Sequence, residues 1–122
     1  MVDVATKPNQ LFEEIQNDIA SNNVIIYMKG TPEMPMCGFS GYAVQIFKRY
    51  NVEFKGVNVL ANEDLRQAIK VFSDWPTIPQ IYIKGEFIGG CDILRDLHES
   101  DELANLLEKS YIAFQKPELT PK

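Results

Sequence analysis

Cysteine is scarce in this chain: Cys37 and Cys91 are the two in 122 residues. A secreted scaffold of this size held together by disulfides would usually carry more, so the pair reads as free thiols suited to a reducing compartment. Basic residues are in the minority, with 12 Lys and Arg against 17 Asp and Glu and a formal net charge of −5. That balance argues against non-specific binding to nucleic acid or to anionic membranes, both of which need basic patches. Long apolar runs are missing too. The longest strand-like one, Val24 to Met28, is far too short to span a bilayer. The first ten residues lack a cationic stretch followed by an apolar one, and they lack Arg, so neither a secretory signal nor an obvious transit peptide is expected. There is no repeat and no low-complexity tract. With 45% hydrophobic and 24% charged residues, the chain suits one domain that buries a core without staples.

What is present is an alternation of helical and strand-like stretches. Leu11, Phe12, Ile15 and Ile19 recur at helical spacing, which predicts an amphipathic helix over 9–21. Val24–Met28 is a short run rich in β-branched residues, hence a buried strand. Residues 30–35 are loop. Ala43, Ile46, Phe47 and Tyr50 mark a second helix that starts close to Cys37. A second strand over 54–59 completes a strand–helix–strand unit, so these two strands should be parallel. Asn62 suits an N-cap, with Glu63 and Asp64 in a first turn where the helix dipole favours acids. Leu65, Ala68, Ile69 and Phe72 supply the apolar face of that third helix, and "DWPTIP" ends it. "QIYI", Lys84-Gly85 and "EFI" form a hairpin closed off by Gly89-Gly90. Two short helices follow over 92–98 and 101–110, and Pro117 and Pro121 mark a frayed tail. The predicted organisation is a flexible 1–8, one domain over 9–112, and a flexible tail over 113–122. Its class is α/β, a mixed sheet with helices on both faces.

The chemistry centres on "MKGTPEMPMCGFS". Cys37 falls in the first turn of a helix, where unpaired backbone N–H groups and the positive end of the dipole favour thiolate over thiol. Lys29, at the end of the preceding strand, adds positive charge. Gly38 permits close backbone approach and Phe39 offers an apolar wall. A buried structural Cys is the commoner fate of this residue type, but flanking Pro35 and Gly38 do not make a core pattern. Cys37 is therefore expected to be a nucleophile or a metal ligand. Ser40 stands where a Cys-x-x-Cys motif has its second thiol. Such a site cannot close its own disulfide. It must release an attacked disulfide with the help of another thiol, for which glutathione is the natural candidate, or bind metal.

Taken with "WPTIPQIYIKGEFIGGCD" and "LRQAIK" in the same order, "CGFS" resembles the active-site motif of the monothiol glutaredoxins, and the resemblance covers residues 11–107. It implies a thioredoxin-like fold with a four-stranded mixed sheet. It also implies a glutathione site. Lys29 and Arg66 resemble the pair that holds the glycine carboxylate, and Phe39 and Thr77 border the ligand. Ile78 resembles the residue whose backbone pairs with the cysteinyl part, and Pro79 matches the family's cis-proline. Cys91 and Asp92 resemble the residues that take the γ-glutamyl end. Glutathione carries two carboxylates and one ammonium, so cations at one end and Asp92 at the other suit it. A cis bond before Pro79 would leave the Ile78 backbone free to pair with an extended ligand. The seven residues between Lys29 and Cys37 form a longer loop than dithiol glutaredoxins have. In the family, that length disfavours disulfide reduction and accompanies [2Fe–2S] binding. Such a cluster wants four thiolates. Two Cys37 sulfurs and two glutathione sulfurs would supply them, which implies a cluster-bridged homodimer with Cys37 as the protein's metal ligand.

Without the motif, Arg66 would read as a solvated helix residue, Lys29 as a strand-end charge and Asp92 as a helix N-cap. Cys91 could pair with Cys37, though a small residue whose backbone binds ligand is the favoured reading. Trp75 is expected to pack, Met28 to be core, and Met34 and Met36 to border the cluster or a partner. His98, the single His, is expected on a surface helix with no role. The leading functional expectation is a carrier that passes [2Fe–2S] clusters to apo iron–sulfur proteins. The alternatives are a glutathione-dependent oxidoreductase, at most a weak one, and an iron-sensing module shared with a BolA-type partner. The resemblance implies a cytoplasmic location in a bacterium or the mitochondrial matrix in a eukaryote.

Overall fold

The computed structural model describes residues 8–117. Helix α1 (Pro8–Ser21) opens the described chain. It is followed by β1 (Val24–Met28), α2 (Gly38–Arg49), β2 (Lys55–Asn58), a short 3-10 turn (Val59–Ala61) and α3 (Glu63–Ser73). The hairpin β3 (Gln80–Ile83) and β4 (Glu86–Gly89) comes next, then α4 (Cys91–Glu99) and α5 (Glu102–Lys109). The sheet order is β2-β1-β3-β4. β1 runs parallel to β2, with Ile26 opposite Gly56, and antiparallel to β3, with Ile26 opposite Ile81. The mixed four-stranded sheet and its parallel first pair are as the sequence predicts.

β1 lies inside the sheet and is covered on both faces, which is why its five residues are all buried and its sequence shows no polar alternation. Its side chains divide with period two. Val24, Ile26 and Met28 join Ala43, Phe47, Leu94, Leu103 and Leu107 on the face covered by α2, α4 and α5. Ile25 and Tyr27 join Leu11, Ile15, Ile19 and Ile69 on the face covered by α1 and α3. Phe47 is fully buried, and its loss to Ala would cost about 3–5 kcal/mol.

Several boundaries differ from expectation for local reasons. β2 ends at Asn58 because the Asn58 side chain caps the turn that begins at Val59, accepting from the Leu60 N–H. α4 begins at Cys91 with Gly90 as N-cap, so Asp92 lies within the first turn and is not the cap. The segment from Ala113, expected to be a free tail, is held against the domain up to Lys116. The Gln115 N–H donates to the Tyr50 carbonyl at 2.7 Å, Phe114 stacks obliquely on Tyr50, and Lys116 Nζ lies 3.9 Å from Asp101. His98 has a structural role that its position on the sequence did not suggest: its Nδ1 is 2.7 Å from the Tyr50 hydroxyl, and the two rings meet edge to face. Of the expected flexible start, Pro8 belongs to α1, and residues 1–7 lie outside the described chain, as do 118–122 of the expected tail.

Candidate functional site: a thiol beside a cationic groove

The chain leaves β1 at Lys29 and turns at once. Gly30 has φ +92°, and a Cβ there would lie 2.5 Å from the Met34 carbonyl oxygen and 2.6 Å from the Met36 nitrogen, so only glycine fits. The loop then closes on itself. Thr31 and Met34 exchange backbone hydrogen bonds of 3.1 and 3.0 Å, and the Met36 N–H donates to the Lys29 carbonyl at 2.9 Å. This delivers Cys37 in extended conformation as the N-cap of α2.

Burial pushes the Cys37 thiol up, but the effects opposing it prevail. The backbone N–H groups of Ser40 and Phe39, the Ser40 hydroxyl and the Lys29 charge hold the thiol below its ordinary range. No full capping hydrogen bond to the sulfur is formed. The favourable field comes from the open helix end. Ser40 does more than replace a thiol. It is buried, and its Oγ accepts the Lys29 N–H at 3.0 Å, which ties the strand end to the helix start.

Beside the thiol lies a cavity of about 520 Å³. Lys29 and Phe39 border it on the thiol side, Arg66 and Lys70 project from α3, Trp75 to Pro79 form one wall, and Gly90 to Ile93 another. The structure thus brings Lys29, Phe39, Arg66, Thr77, Ile78, Pro79, Cys91 and Asp92 together around one groove. Cys37 itself stands just outside this lining. Asn62 starts α3 by accepting the Leu65 N–H at 3.1 Å, which sets the turn that carries Arg66. Arg66 reaches Glu63 at 3.3 Å through Nη1, while its Nε is buried with no partner. A buried guanidinium donor left unpaired suits a groove built for an anion. The Ile78–Pro79 bond is cis, and the sheet register stops at Tyr27–Gln80, so the Ile78 backbone stays outside the ladder.

Lys70 in the groove and Gln80 behind its wall were not expected from the sequence. Lys70 stands one turn after Arg66 on the same face, a signal that i, i+4 spacing carries. Gln80 is fully buried, and its Nε2 donates to the Trp75 carbonyl at 3.0 Å and the Thr77 carbonyl at 3.3 Å, clamping the wall from behind. Trp75 packs on Phe87 as expected and also lines the groove.

Cys91 contrasts with Cys37. Burial and then the Asp92 charge push its thiol up. Both cysteines are free thiols. Asp92 is exposed and lies 3.5 Å from Arg95. Met28 is core, as expected, whereas Met34, Met36 and Phe39 are each more than 60% exposed and form an apolar rim beside Cys37. Among the described residues, no three His, Cys, Asp or Glu side chains gather into a metal site, and no helix is long and apolar enough to cross a membrane.

Comparison with known proteins agrees with this fold. The glutaredoxin family model matches residues 24–88. A probable monothiol glutaredoxin 2 of Rickettsia conorii is 50% identical over 100 residues, covering 82% of this chain and 94% of that one. The mitochondrial monothiol glutaredoxin-S15 of Arabidopsis thaliana is 49% identical over 100 residues, covering 82% of this chain and 59% of that one. Among solved structures, reduced poplar apo GrxS14 superposes with a TM-score of 0.74 at 48% identity, covering 83% of this chain and 93% of that one. The fold is thioredoxin-like, and with a single activated thiol followed by Ser40, the chain belongs to the glutaredoxin family, in its monothiol branch.

Proposed function

We propose that this chain binds glutathione in the groove and that two copies, each with one glutathione, carry a [2Fe–2S] cluster for delivery to apo iron–sulfur proteins. The observation that carries the reading is the unequal pair of thiols. Cys37 is activated at a helix start, while Cys91 is disfavoured as thiolate by burial and Asp92. A [2Fe–2S] cargo needs four thiolate ligands, and one usable sulfur per chain leaves the remainder to a second copy and to a diffusible thiol. The groove's charge pattern fits that thiol. Lys29, Arg66 and Lys70 face the carboxylate end, the buried Arg66 Nε offers a free donor, and Asp92 stands ready for the ammonium. The Ile78 backbone, outside the ladder, can pair with an extended peptide.

The test is anaerobic reconstitution with iron and sulfide, with and without glutathione. Visible absorption, iron per chain and solution mass are then measured. The expected result is a monomer without cluster and a glutathione-dependent dimer with it. A cluster formed equally well without a small thiol, or held on a monomer by Cys37 and Cys91, would overturn the proposal.

The activated thiolate also supports a second, weaker activity. Cys37 would attack the glutathione sulfur of a protein mixed disulfide and the protein thiolate would leave. A second glutathione thiolate would then attack the Cys37–glutathione disulfide, freeing Cys37 and releasing oxidised glutathione. Turnover of a glutathionylated peptide tests it.

A further inference from the structure

We propose that Asn58, 21 residues away from Cys37 in sequence, is a positioning residue for the glutathione site that acts through the Lys29–Gly30 peptide; this rests on the reading of the groove given above. The Asn58 side-chain oxygen accepts two backbone N–H groups, Gly30 and Leu60, each at 2.9 Å. One bond caps the turn after β2. The other crosses from β2 to the loop that leads to the thiol. The Lys29–Gly30 peptide is thereby held from both sides. Ser40 Oγ takes the Lys29 N–H at 3.0 Å, Asn58 Oδ1 takes the Gly30 N–H, and the Lys29 carbonyl accepts from Met36 just before Cys37. These three bonds fix the backbone from which the Lys29 side chain enters the groove.

The surrounding packing makes the anchor specific. Gly30 is buried, so its N–H has no water to turn to if Asn58 is lost. Gly30 also sits at positive φ with the loop folded tightly over it, so the peptide cannot simply rotate to find another acceptor. Pro32 lies over Gly56, where a Cβ would come within 2.5 Å of its ring, so the loop rests on β2 two residues before Asn58. β2 is an edge strand. Asn58 converts that edge into the support of the loop. The distinctive length of the loop therefore does not imply looseness: it is a closed ring, pinned at its base by a side chain from a neighbouring strand.

The chemistry asks only for an acceptor oxygen at this position. Asn58→Asp keeps one, whereas Asn58→Ala removes it. Amide hydrogen exchange at Gly30, without any ligand, reads the anchor directly. Protection should fall in Asn58→Ala and persist in Asn58→Asp. Glutathione titration should show affinity falling about fivefold in Asn58→Ala, the effect of one lost backbone hydrogen bond, and largely recovering in Asn58→Asp. A double-mutant cycle assigns the route. If Asn58 acts through Lys29, Asn58→Ala costs little further affinity in a Lys29→Ala background, but its full effect remains in an Arg66→Ala background. Unchanged Gly30 exchange in Asn58→Ala, or effects additive with Lys29→Ala, would overturn the role of Asn58. Failure of the unsubstituted chain to bind glutathione would overturn the reading of the groove instead.

Discussion

Two helices of this protein open on a cysteine, and the two thiols are shifted in opposite directions. Cys37 caps α2 from outside the helix, where the N–H groups of the first turn point at its sulfur, with a lysine on the adjoining strand and a serine three residues on. Cys91 is the first helical residue of α4, one step past the cap, and Gly90 occupies the position that would have faced the N–H groups. Burial pushes the Cys91 thiol up, and the charge of the adjoining Asp92 adds to that. A helix dipole alone therefore does not activate a thiol. Burial, a shift of one residue relative to the cap, and the sign of one neighbouring charge separate a thiol pushed up from one held low.

The sharpest way to break this contrast is to remove each thiol in turn. Cys37→Ser should abolish rapid alkylation near neutral pH and cluster assembly, while Cys91→Ser should leave both nearly intact. The sign follows from the reacting species. Alkylation needs thiolate, so its rate rises with pH through each thiol's own pKa. Cys37 should reach its plateau below the ordinary thiol range and Cys91 above it. Equal rates for the two variants would end the comparison.

A smaller effect is expected from the support behind Cys37. Ser40→Ala leaves the Lys29 N–H without its acceptor, and the domain should lose about 1–3 kcal/mol in denaturant melts. Cys37 alkylation should slow at the same time, because the hydroxyl also favours thiolate. A loss within a few tenths of a kcal/mol would mean that Ser40 only fills space.

Next comes the groove, where the comparison extends from sulfurs to charges. Arg66→Ala and Lys29→Ala should each weaken glutathione binding by about tenfold with little change in melting, since charge-assisted bonds at partly exposed sites sit at the low end of their range. Titration beside a melting curve separates binding from stability. Unchanged affinity in both variants would remove these cations from the site.

The smallest expected change is at the other helix. Asp92→Asn removes the negative neighbour of Cys91, so Cys91 alkylation should rise, by about twofold because Asp92 is well exposed. Cys37 should not respond. A matching change at Cys37 would show that the two helix starts are not independent.

Much of this architecture was legible because it is written in contiguous stretches. β1 announces itself as an apolar run, α3 by Asn62 and its first-turn acids, and the hairpin by Lys84-Gly85 between apolar strands. The position of Cys37 at a helix start was legible from the helical spacing of Ala43, Ile46, Phe47 and Tyr50 after a loop. Arg66, Ile78 and Asp92 were a different matter, since each has an unremarkable local sequence and only the motif drew them out. What stayed hidden depends on side chains meeting across distance. Ser40 meets Lys29 over 11 residues, Asn58 meets Gly30 over 28, and Tyr50 meets His98 over 48. No periodicity encodes such pairs. Gln80 was missed for a related reason: a polar residue at the head of an apolar strand looks like a boundary, and only the fold shows the two carbonyls it clamps.

The docked end of the chain has a practical meaning for anyone who would cut or extend it. Ile112 is buried, but the fastening continues beyond it, through the Phe114 ring and the Gln115 amide on Tyr50. Trimming after Ile112 would uncover one side of the Tyr50–His98 pair and strand the Tyr50 carbonyl. An affinity tag or a second domain joined there would pull on the seam from which α2 and α4 are closed. The safe junction for a fusion lies after Lys116, where the last described contact of this segment, to Asp101, has been made.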